Sequence, residues 1–123
     1  MMTNWNSVVK PGDIVIHLGD FALTSLEHMK DILRKLNGDV FIILGNHDKS
    51  RMRMAEVGFI VVDGSLIIGN LIFTHRPMHI VPKECVNIHG HIHEKETSGN
   101  RINLCVEKTD YKPVLLSDVR KYA

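Results

Sequence analysis

Short apolar, β-branched runs alternate along this chain with polar islands, and the spacing of each run predicts an element. Asp13–His17 and Val40–Leu44 are nearly continuous apolar segments, the pattern of strands covered on both faces. Between them Leu26, Met29, Leu33 and Leu36 recur at helical spacing with Ile32 beside them, which predicts an amphipathic helix. Thr24-Ser-Leu-Glu27 fits a capping box at its start, and Asn37-Gly38 a stop at its end. A second, short helix is expected through Ala55, capped by Asp48 or Ser50 and stopped at Gly58. Phe59–Val62, Ser65–Ile68 and Leu71–Thr74 then read as closely spaced strands, with Asp63-Gly64 and Gly69-Asn70 as hairpin-type turns. Val86–His89 and Arg101–Val106 read as further strands around a polar loop, Glu94 to Asn100, and Ser117–Tyr122 as a C-terminal helix. Met1–Gly12 is polar and contains the turn signal Pro11-Gly12, so the first regular element is expected after it.

A β-α-β-α order followed by hairpins predicts an α/β fold with a mixed sheet or two stacked sheets. At 123 residues, without repeat, low-complexity segment or linker, the chain reads as a single domain spanning 1–123. A net charge of +1 leaves no electrostatic footprint for nucleic acid or an acidic membrane. Cys85 and Cys105 lack C-x-x-C spacing and lie on apolar runs, which suits buried, reduced thiols and a cytoplasmic location. Met1–Lys10 lacks the apolar core of a signal peptide, and no apolar run approaches the ~20 residues a membrane helix needs. The unusual count is eight histidines, so their placement matters.

Four of those eight histidines fall on polar islands that directly follow strands: Gly19-Asp20, Gly45-Asn46-His47-Asp48, Thr74-His75-Arg76-Pro77 and Gly90-His91-Ile92-His93. Taken singly, each has a plain explanation. Asp20 could cap the helix after it, Asn46 could serve a left-handed turn position, and His75 could be a hydrogen-bonded strand-end histidine. His89, His91 and His93 alternate, so in an extended segment they share a face, which points to a metal or a proton role. One carboxylate, one amide and several imidazoles delivered from four strand ends are what a hard-to-borderline metal pair needs.

In this order the islands resemble the calcineurin-like metallophosphoesterase family, and Trp5-Asn6, His17–Phe21, Leu36–Gly38 and Tyr111–Pro113 look like its compact bacterial and phage members. The resemblance runs from about Trp5 to Tyr122. It implies a sandwich of mixed β-sheets flanked by helices, and two divalent metal ions (manganese, iron, zinc, cobalt or nickel). Carried over by residue, it makes Asp20 the bridge between the metals. Asn46, His75 and His91 would complete one site, and His93 would bind the other ion. His47 would be the general acid that protonates the leaving oxygen, and Arg76 would hold a phosphate oxygen. The implied reaction is hydrolysis of a phosphodiester or phosphomonoester by metal-activated hydroxide.

The chain departs from that family at one point. Family members open with a strand ending in Asp-x-His, and no aspartate here, from Asp13 to Asp118, has a histidine two residues later. The expectation is therefore an N-terminally truncated fold with one complete metal site, His17 and His89 being candidates to replace the absent ligands. It leaves open a second reading, a weak or inactive relative that binds one metal and acts as an interaction or scaffold module. Loss of the opening strand would expose a sheet edge through which the chain could self-associate. A small nucleotide or phosphodiester is the default substrate; nucleic acid gains no support from the charge.

Overall fold

The computed structural model describes residues 2–21, 25–45, 48–90, 100–104 and 113–122. Its core is a layered α/β arrangement of a three-stranded and a four-stranded sheet. The first holds β1 (Ile14–His17), β2 (Asp39–Ile43) and β3 (Ile60–Val62) in that order, all parallel. The second holds β4 (Ser65–Ile68), β5 (Leu71–Thr74), β6 (Val86–His89) and β7 (Arg101–Asn103), with β4 antiparallel and the others parallel. Alternation along β2 gives each face its partner. Val40 and Ile42 pack toward the helices, while Ile43 joins Ile16, Val62, Phe73, Ile88 and Ile102 between the sheets.

Among the described residues, three α-helices cover the outer face of the three-stranded sheet: α1 (Met2–Val8), α2 (Leu26–Lys35) and α3 (Arg51–Val57). The apolar stripe predicted for α2 is the buried one, with Met29 and Leu36 in the core and Leu26, Ile32 and Leu33 packed against it. Its N-cap is Ser25, whose Oγ accepts from His28 N at 3.2 Å; Thr24, the expected cap, lies outside the described residues. Arg34 and Lys35 fall in its last turn, where cations complement the helix dipole.

Several expectations need correcting. The first regular element precedes Pro11: α1 is seven residues long, too short to persist alone, and is held by tertiary contacts. Trp5 is buried and its indole N–H donates to Asn37 O at 2.9 Å. Asn6 donates to Lys35 O (2.8 Å) and accepts from Asn37 N (2.8 Å), so it closes the C-terminus of α2. Asp63-Gly64 makes no hairpin; the chain there leaves one sheet for the other, with Gly64 at φ +70°. Gly69-Asn70 is the hairpin turn, bringing Ile68 opposite Leu71. The last strand is described as Arg101–Asn103, and the C-terminal helix is a 3-10 helix, Leu116–Tyr122, whose Val119 packs between the sheets. Among the described residues no helix is long and apolar enough to cross a membrane.

Candidate active site

Parallel strands deliver their C-terminal ends to one edge, where the crevice of an α/β sheet takes its ligands. β1 runs out into Leu18-Gly19-Asp20, β2 into Leu44-Gly45, β5 into His75-Arg76 and β6 into Gly90. The two sheets are stitched together there. His75 Nδ1 lies 2.7 Å from Leu18 O across the two sheets, and Gly90 N donates to His75 O at 2.9 Å within the four-stranded sheet, continuing the β5–β6 pairing. A carbonyl can only accept, so Nδ1 carries a hydrogen, and in the neutral ring Nε2 presents a lone pair.

That lone pair points at a carboxylate: His75 Nε2 is 3.2 Å from Asp20 Oδ2. Two acceptors hold that separation only with something positive between them, a proton on Nε2 or a cation. An imidazole anchored through one nitrogen on a backbone carbonyl, with the other nitrogen beside a carboxylate, is the usual posture of a metal-ligating histidine.

Close approach of the loops depends on glycine. Gly19 has φ +101°, and a Cβ there would stand 2.5 Å from His75 Nδ1 and 2.7 Å from Gly45 N and Ile43 O. A Cβ on Gly45 would fall onto Asp20 Oδ1. Asp20 itself sits at φ 55°, a left-handed conformation that costs an L-residue about 1 kcal/mol.

Asp48 keeps Asp20 in that conformation. Its Oδ2 accepts from Asp20 N and Gly45 N, both at 2.7 Å, and its Oδ1 accepts from Phe21 N at 2.8 Å. The sequence offered Asp48 as a helix cap, but that task belongs to Ser50, whose Oγ accepts from Arg53 N at 3.4 Å. A carboxylate three residues after a strand-end glycine was the available signal for Asp48. Its partners Asp20 and Phe21 lie 28 and 27 residues away, so the pattern alone could not assign them.

Of the residues singled out from the sequence, Asp20 and His75 are brought together, and Arg76 lines an open cavity of about 420 Å3 with Leu44, Gly45, Gly64, Thr74 and His75. Asn46, His47, His91 and His93 lie outside the described residues. Among the described residues there is no group of three or more His, Cys, Asp or Glu side chains that could hold a metal ion, and the described part of the expected ligand set is Asp20 and His75.

His17 and His89 have other engagements. His17 Nδ1 accepts from Gly19 N at 3.1 Å, and its ring meets Phe21 edge-on. Burial pulls its pKa down to about 4, against the raising influence of Asp48 and Asp20, with His75 lowering it further. His89 is wholly buried, and Nδ1 donates to Gly90 O at 3.0 Å. Burial holds its pKa below the ordinary value, the Gly90 carbonyl opposes that and Arg101 adds to it. Its Nε2 has no hydrogen-bond partner among the described residues.

No family model matches the chain. The structure of the protein of unknown function AQ665 from Aquifex aeolicus superposes with a TM-score of 0.74 at 28% identity, covering 99% of this chain and 82% of that one. Pseudomonas putida nuclease MPE superposes with a TM-score of 0.52 at 27% identity, over 65% of this chain and 44% of the nuclease chain. The fold is thus shared in part with a nuclease. Uncharacterized protein MJ1445 of Methanocaldococcus jannaschii is 32% identical over 133 residues, which cover 98% of this chain and 72% of that protein. Similarity of that degree along nearly the whole chain places the protein in the same family as MJ1445.

Proposed function

We propose that this protein is a divalent-metal-dependent phosphoesterase with a calcineurin-like sandwich. The observation that carries the reading is the contact between His75 Nε2 and Asp20 Oδ2, made while His75 Nδ1 is committed to Leu18 O. A cation-ready imidazole–carboxylate pair at the C-terminal ends of parallel strands, beside an open cavity with an arginine on its wall, suits an anionic substrate. The partial likeness to nuclease MPE supports a hydrolase of phosphate esters.

The donor set suits one complete metal site, with the Asp20 carboxylate, the Asn46 amide oxygen and the imidazoles of His75 and His91, and leaves Asp20 and His93 for a second ion. When bound, divalent ions there would supply Lewis acidity to the phosphoryl group and make water at the site more acidic. The protein's own groups do the rest. Asp20 supplies the anionic oxygens, with its backbone fixed by Asp48. His75 is oriented by Leu18 O. Arg76 binds a phosphate oxygen through its guanidinium. His47 donates a proton from its ring nitrogen to the leaving oxygen, a role for which an acid of pKa near neutrality is matched.

Hydrolysis of bis-p-nitrophenyl phosphate with added manganese tests this, beside the Asn46→Ala and His47→Ala variants. The expected result is turnover by the parent chain that falls at least about 100-fold in His47→Ala, the scale of general acid catalysis, and is lost in Asn46→Ala. An inert parent chain, or variants that match it, would sink the reading. A short single-stranded oligonucleotide in the same assay decides between a small phosphodiester and the nucleic-acid class of the nuclease neighbour.

A further inference from the structure

The outer face of the four-stranded sheet carries a polar side chain that is fully buried. On β6, Val86 and Ile88 pack between the sheets, so Asn87 faces outward, and it is 0% exposed. Burying an amide is unfavourable unless its donors and acceptor are all used, and those of Asn87 are. Nδ2 donates to Ile72 O at 3.0 Å and to Thr74 Oγ1 at 2.9 Å, and Oδ1 accepts from Met78 N at 2.9 Å. With its lone pair occupied by Asn87, the Thr74 hydroxyl donates its own hydrogen to Arg76 O at 2.7 Å. Arg101 is the register partner of Asn87 on β7. Its Nε donates to Met78 O and its Nη2 to His79 O, both at 2.7 Å.

The segment after His75 is therefore irregular in backbone but bonded as firmly as a strand. Main-chain groups of Arg76, Met78 and His79 each meet a side chain rooted in β5, β6 or β7, and Pro77 restricts the dihedral between them. A loop that merely covered the sheet could do so with apolar contacts. This one spends an amide, a hydroxyl and a guanidinium on holding the backbone that carries Arg76 to the cavity wall. An arginine on a fixed backbone loses less freedom on gripping an anion than one on a loose loop.

We propose that Asn87 is a positioning residue which, through Thr74 and Met78 and together with Arg101, holds Arg76 at the cavity wall to grip a phosphate group. The inference rests on the reading of the cavity as a phosphoester site, and its test is read by binding so that the two can fail separately. Inorganic phosphate is titrated calorimetrically into the full chain with manganese present, for the parent, Arg76→Ala, Asn87→Leu and the double variant. Arg76→Ala is expected to weaken phosphate about tenfold, the scale of a lost charge-assisted hydrogen bond. Asn87→Leu is expected to weaken it by a similar factor, and the double variant to be no weaker than Arg76→Ala within about twofold, because both changes remove one interaction. Protection of the Met78 amide from hydrogen exchange should fall in Asn87→Leu. As a stability control, Ile88→Val on the same strand should lower the melting temperature and leave phosphate affinity unchanged.

Losses that add, an unchanged affinity in Asn87→Leu, or no phosphate binding by the parent chain would each overturn the proposal. If Asn87→Leu does not fold, Thr74→Val and Arg101→Ala break the same chain of bonds and carry the same comparison. Turnover of bis-p-nitrophenyl phosphate combined with additive losses would leave the phosphoesterase standing and remove the positioning role. Non-additive loss of phosphate binding in a chain that never turns over would do the reverse.

Discussion

Asp48 accepts the backbone N–H of Asp20 at 2.7 Å, although 28 residues separate them, and the same oxygen accepts from Gly45 N. With Phe21 N on its other oxygen, one carboxylate joins the loop after β1 to the turn after β2. Asp48→Asn keeps the shape but turns one acceptor oxygen into a donor amide facing backbone N–H groups. The substitution is expected to reduce manganese affinity or activity by about 10–100-fold, as loss of a residue that orients a ligand does. Manganese titration and turnover check it; parent-like values in both would show that Asp20 needs no such support.

The His75–Asp20 pair predicts metal-linked stability. A ligand present at a hundred times its dissociation constant and bound only by the native state adds about 2.7 kcal/mol. Added manganese should raise the melting temperature of the parent chain, and both His75→Ala and Asp20→Asn should abolish the rise. The same rise in both variants would place the ion elsewhere.

Gly45 has no room for a side chain, because a Cβ there falls onto the Asp20 carboxylate. Gly45→Ala should therefore remove the manganese-dependent stabilisation while the metal-free protein stays folded, losing roughly 1–3 kcal/mol, the range for overpacking. Chelator-treated protein compared with manganese-loaded protein in thermal melts separates the two effects. An undiminished manganese response would mean that Asp20 can move without consequence.

His17 predicts the acid side of the stability profile. Its folded pKa of about 4 lies below the 6.5 of the unfolded chain, so the unfolded state binds the proton first as pH falls. The stability held by neutral His17 is complete above pH ~6.5 and is lost progressively toward pH ~4, by at most about 3 kcal/mol. Metal-free His17→Gln should show a shallower fall in unfolding free energy between those limits than the parent. Parallel curves would show that His17 titrates normally.

Much of the fold was legible because it depends on local pattern. The apolar stripe from Leu26 to Leu36, the buried run at Val40 and the Gly69-Asn70 turn all carry their signal within a few residues, and each is found where expected. The failures share a different cause. Nothing local in the first twelve residues shows that Trp5 and Asn6 will meet the end of α2 some thirty residues on. Asp63-Gly64 has hairpin composition, yet β3 pairs with β2 and β4 with β5, so the two strands join different sheets through partners that the turn residues do not encode.

The site divides along the same line. Residue type and strand-end position were enough to single out Asp20 and His75 as candidates, since carboxylate and imidazole chemistry is intrinsic to the side chain, and the fold places the two 3.2 Å apart. The tertiary structure alone decided which nitrogen of His75 faces Asp20, that Asp48 braces Asp20 rather than capping α3, and that Asn87 and Arg101 hold the segment carrying Arg76. Those are directional bonds between groups distant along the chain, and their geometry exists only once packing of the two sheets has brought the strand ends to one edge.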